Sequence, residues 1–97
     1  MPYYYGRLVY QAPIPDTDLA GLMLSVKGDF DICKIRVGKR EEYFFTDEPM
    51  FELFNLDSGG VAEITIYNTP YNLLRKSGEK AESFGISNIE LIKKSAD

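Results

Sequence analysis

Apolar and polar residues alternate with a period of two through several short stretches of this chain, and nowhere do they sustain the period of 3.6 that a helix requires. The cleanest run follows Ser58-Gly59-Gly60: Ala62, Ile64 and Ile66 point one way, Glu63 and Thr65 the other. It stops at Asn68-Thr69-Pro70, where proline cannot donate to a sheet ladder. The same reading makes Leu22, Leu24 and Val26 the inner face of a strand whose outer face is Met23, Ser25 and Lys27. Beyond a turn at Lys27–Asp31, Cys33, Ile35 and Val37 alternate with Lys34 and Arg36. Ile89 and Leu91, against Asn88 and Glu90, predict a last strand within Ile86 to Lys94, followed by a frayed end.

Between these runs the pattern is coarser. Tyr3 to Gln11 is rich in strand-forming residues and is expected to carry a bulge at Gly6. Ala12-Pro13-Ile14-Pro15 holds two prolines and is excluded from the middle of a sheet. Gly38 is expected to end the third strand, with Lys39 to Glu42 charged and exposed before Tyr43-Phe44-Phe45 turns apolar again. Thr46 to Pro49 breaks the chain. Met50 to Leu56 is a short apolar run, and Asn55 to Gly60 a turn. Tyr71 to Ser83 is polar, with no sustained helical period. Six or so short strands, with turn signals about every ten residues, predict an all-β domain built as a β-sandwich.

Composition narrows the chemistry. Ninety-seven residues make one domain. The net charge of −4 divides evenly: residues 1–48 hold 6 basic and 8 acidic side chains, residues 49–97 hold 5 and 7. No basic arm recommends nucleic acid as a partner. No apolar run approaches the roughly 20 residues that span a bilayer, and the N-terminus lacks the order of a signal peptide, so a soluble chain is expected with its compartment open. Histidine is absent, which removes the commonest general base and the usual nucleophilic triads. The lone Cys33 lies in a strand and reads as a small core residue.

The succession G-R-L-V-Y-Q-A-P-I-P, L-M-L-S-V, D-I-C-K-I-R-V-G-K, F-E-L, G-G-V-A-E-I-T-I-Y-N-T-P-Y-N and F-G-I-S-N-I-E-L-I resembles the galactose-binding-like jelly-roll domains attached to glycoside hydrolases, above all the family 2 sugar-binding type. The resemblance spans about Gly6 to Lys93, and the Gly-Gly strand with Asn68 to Asn72 is its most specific part. The turn Val37-Gly38-Lys39 departs from it by lacking an asparagine before glycine. The chain is also short for that family, so a first strand is expected to be missing or supplied by a neighbouring domain. The resemblance implies an accessory domain, without chemistry of its own, that binds sugar or braces a catalytic partner.

The residues themselves offer three groups. Seven tyrosines (3, 4, 5, 10, 43, 67 and 71) could stack on the C–H faces of sugars, whose hydroxyls call for planar amides, carboxylates and guanidinium groups. Arg40 with Tyr43, and Tyr71 with Asn72 and Arg75, supply that mixture and are the candidate carbohydrate-binding residues. The competing reading makes the tyrosines core-edge fillers. Turn aspartates at 16, 18, 29, 31 and 57 hint at calcium, against the simpler reading that they bond their own backbone. Lys34, Arg36, Lys39 and Arg40 form a basic patch half-neutralised by Glu41 and Glu42. No catalytic residue, metal or cofactor is assigned. The alternative is a structural or protein–protein interaction sandwich that pairs an exposed aromatic strand, Tyr3-Tyr4-Tyr5, with a partner's edge.

Overall fold

The computed structural model describes residues 6–68 and 84–94. Seven strands are present among them: β1 Gly6–Pro13, β2 Leu22–Asp29, β3 Ile32–Val37, β4 Arg40–Phe44, β5 Met50–Glu52, β6 Val61–Asn68 and β7 Gly85–Lys93. They form a four-stranded sheet ordered β1-β6-β3-β4 and a three-stranded sheet ordered β5-β2-β7, with every pairing antiparallel. Two antiparallel sheets enclosing one core make this an all-β protein of the β-sandwich kind.

The period of two is what builds the core. Cys33, Ile35 and Val37 of β3 and Ala62, Ile64 and Ile66 of β6 point inward from the larger sheet, and Leu24 and Val26 of β2 with Phe51 of β5 meet them from the smaller. Leu19, Ile14 and Leu53 close the ends. Thr65, read as a solvent-facing residue, is buried on the outer face of the central strand β6, where its neighbours across the ladders are Val9 and Lys34.

Three features depart from the sequence reading, the first two because edge strands are held from one side only and tolerate sequences that a central strand does not. Arg40 to Phe44, read as a charged exposed stretch running into an apolar one, is strand β4, joined to β3 by a two-residue turn in which Gly38 takes a positive φ of 61°. Pro13 lies inside β1, at its end, where no second neighbour asks for its missing N–H. The bulge falls between Lys27 and Gly28 rather than at Gly6, which pairs in register with Asn68. Gly6 is bare for another reason: a Cβ there would lie 2.7 Å from the Phe84 ring.

Two inward-pointing polar side chains tie the sheets together at opposite flanks. From β4, Arg40 reaches across to β5, donating to the Glu52 carbonyl at 3.0 Å and to the Asp57 carboxylate at 2.5 Å. From β1, the Tyr10 hydroxyl accepts the N–H of Ile86 on β7 at 3.2 Å.

Cys33 is fully buried, and desolvation pushes its thiol from 9.0 up to about 12. Between those values the unfolded chain releases the proton and the native protein keeps it, so this residue's contribution to stability is whole below pH 9 and is lost as pH rises towards 12. Two results are expected. Native protein at pH 8 reacts with a thiol reagent only as fast as it unfolds, and Cys33→Ala has a shallower fall in stability between pH 9 and 11. Rapid labelling of the folded protein would contradict the placement.

Candidate functional site

The outer face of the four-stranded sheet carries an array of polar side chains brought together by the strand register. Register places Gln11, Glu63, Arg36 and Glu41 opposite one another on β1, β6, β3 and β4. The Arg36 guanidinium donates to Glu63 Oε1 at 2.9 Å, and Gln11 Nε2 donates to Glu63 Oε2 at 3.4 Å. A planar amide, a carboxylate and a guanidinium thus stand in one row across three strands, each with hydrogen-bonding capacity left over. A depression of about 290 Å³ opens here, lined by Gln11, Arg36, Gly38, Val61 and Glu63. Gly38 leaves the rim bare, and half-exposed Val61 gives it an apolar border.

The next row along the same face is Val9, Thr65, Lys34 and Tyr43. Lys34 reaches Glu41 at 3.6 Å and so links the two rows. Tyr43 is 52% exposed, which leaves its ring available as a stacking surface beside them. The ion pairs are partly exposed and worth at most about 1 kcal/mol each to folding. The exposed residues of this face, buried Thr65 excepted, can therefore be altered one by one without unfolding the protein.

Arg40 and Tyr43, grouped by the sequence reading, are not brought together. They lie three residues apart on β4 and hence on opposite faces. Tyr43 faces outward. Arg40 faces the core, its Cζ stacked 4.7 Å from the Phe51 ring centroid and 4.8 Å from that of Phe54, with its two terminal nitrogens on Glu52 and Asp57. Tyr71, Asn72 and Arg75, like Tyr3, Tyr4 and Tyr5, lie outside the described residues. Gln11, Arg36 and Glu63 were not among the expected site residues. Alternation already turned Arg36 and Glu63 outward, but only the cross-strand register makes them neighbours.

Asp18 and Asp57 bond backbone N–H groups, and Asp16 bonds a side-chain hydroxyl. Asp18 Oδ1 accepts the Ala20 N–H at 3.1 Å, and Asp16 Oδ1 accepts the Ser58 hydroxyl at 2.9 Å. Asp57 Oδ2 accepts the Phe54 N–H at 2.7 Å, holding the 3₁₀ turn Asn55–Asp57. No helix among the described residues is long and apolar enough to cross a membrane. No family model, curated protein or solved structure matches the chain.

Proposed function

We propose that this protein is a non-catalytic β-sandwich module that binds carbohydrate on the outer face of its four-stranded sheet, as an accessory domain of a carbohydrate-active enzyme. The observation that carries this is the row Gln11–Glu63–Arg36, with Tyr43 alongside. Vicinal sugar hydroxyls are taken up by planar groups that donate and accept side by side, while an exposed aromatic ring covers the apolar C–H face. The shallow depression suits part of an extended glycan better than a small molecule needing enclosure.

The finer fold assignment, a galactose-binding-like jelly roll, belongs to the same proposal. It is supported by the connections: every one except the β3–β4 hairpin passes from one sheet to the other, so that β6 comes to lie between β1 and β3, and β2 between β5 and β7. A jelly roll has eight strands in two sheets, and this order is that of such a fold without its first strand.

A ligand-observed saturation-transfer screen against mono- and oligosaccharides is the direct test. Transfer to at least one oligosaccharide is expected, falling about tenfold in Arg36→Ala and Tyr43→Ala with unchanged far-UV circular dichroism. Silence across the panel from a folded sample would refute the binding role. Transfer unaffected by both substitutions would refute the site.

A further inference from the structure

Among the described residues the sandwich has four strands over three, and the difference falls at one identifiable place. Arg40 of β4 contacts Glu52 and Phe51 of β5, which sets β4 over β5. Counting inward from that flank, β3 lies over β2 and β6 over β7, and β1 overhangs with no strand of the smaller sheet beneath it among the described residues.

Burial bears this out on both sides of the gap. Leu8 shares the inner face of β1 with Tyr10 and Ala12, and its ladder neighbour Ile66 is fully buried, yet Leu8 is 39% exposed. On β7 the inward residues Ile89 and Leu91 are only partly buried, while Val26 and Leu24 opposite them on β2 are buried. Between β1 and β7 a cleft of about 360 Å³ is lined by Tyr10, Phe84, Ile86 and Ser87, with Gly28, Asp29 and Gly85. The Ile86 N–H finds the Tyr10 hydroxyl in place of a ladder carbonyl.

We infer that the position beside β7, where no strand lies among the described residues, is a docking slot for one extended polypeptide strand donated by another chain. It would run antiparallel to β7, complete a four-stranded sheet beneath β1, and cover Leu8, Tyr10 and Ile86 with alternate apolar side chains. The slot takes a lone strand and not a second copy of the molecule. Two-fold pairing of β7 with its counterpart would drive each copy's overhanging β1 into the space already held by the other's β6. The donor's outward residues meet Asn88 and Glu90 on a chain of net charge −4, which favours lysine and threonine there.

The probe is a capped nine-residue peptide alternating valine and threonine, with a lysine at each end. Added at millimolar concentration to the ¹⁵N-labelled protein, it is expected to shift the free-edge β7 amides Ile89, Leu91 and Lys93 and the Tyr10 ring, and to slow exchange of those amides at least tenfold. Leu8→Lys, which places a charge in the slot at an already half-exposed position, is expected to abolish both effects. A fusion carrying the same nine residues on a flexible linker ahead of Met1 is expected to melt several degrees higher than a fusion carrying glycine and serine instead. Unmoved β7 amides together with equal melting of the two fusions would overturn the inference. So would strong protection of those amides in the free protein, which would mean that the chain covers the slot itself, or concentration-dependent dimerisation that perturbs β7.

Discussion

Gly28→Ala is expected to lower stability by about 3 kcal/mol, a fall in melting temperature of roughly 12–24 °C for a domain of this size. Gly28 sits at the register shift where β7 carries an extra residue, Ser87, against β2. A Cβ there would press into the Gly85 carbonyl oxygen and lie 2.9 Å from the Ile86 Cα and 3.0 Å from the Phe30 ring. The first two are backbone atoms of the neighbouring strand, so no rotamer change relieves the contact. Either the β2–β7 ladder opens at that point or the bulge is rebuilt. Gly21→Ala provides the comparison: nothing lies within 4 Å of its added Cβ, and its φ of +80° is the only obstacle. Its cost is expected to stay near about 1 kcal/mol. Chemical denaturation of both variants decides the matter, and equal losses would show that backbone conformation, not close approach, governs Gly28.

The two glycines also show where the sequence was legible. A glycine within a strand pattern signals a bulge or a close approach, and Gly6 and Gly28 are both close approaches, yet the bulge was assigned to the wrong one. What separates them is the partner strand. Gly28 faces Ile86 across a ladder spanning more than fifty residues of sequence, and local pattern carries no trace of it. The central strands were readable for the converse reason. β2, β3 and β6 each have neighbours on both sides and one face on the core, so the core imposes the period of two on their apolar residues, although Ser25 and Thr65 are buried on the other face.

Edge strand β4 escapes that constraint. Its Arg-Glu-Glu-Tyr-Phe sequence has no alternation to find, although its parity, once known, sends Arg40 inward and Tyr43 outward. The candidate site was half legible in the same way. Alternation turned Arg36 and Glu63 to the outer face, and the register that joins them to Gln11 is a property of three strands drawn from distant parts of the chain.

Arg40→Met is expected to cost about 3–5 kcal/mol, more than Asp57→Ala, although the two residues form one ion pair. The asymmetry follows from burial. The Asp57 side chain is 2% exposed, whereas that of Arg40 is 35% exposed. Removing the guanidinium strands a carboxylate in the interior with only the Phe54 N–H to compensate it. Methionine keeps most of the apolar stem against Phe51 and Phe54, so lost packing contributes little. Removing the carboxylate instead leaves a guanidinium that water already reaches, together with an unpaired Phe54 N–H, at about 2 kcal/mol. The double variant Arg40→Met/Asp57→Ala is therefore expected to be more stable than Arg40→Met alone, because no charge is left buried. Urea denaturation of the two single variants and the double completes the cycle. If the losses simply add, the pair does not act as a coupled tie between β4 and the 3₁₀ turn. If the double variant recovers stability, an inward arginine on an edge strand is held in place by the acid it neutralises. That charge, pointing into the sandwich, would also deter a foreign strand from pairing with β4.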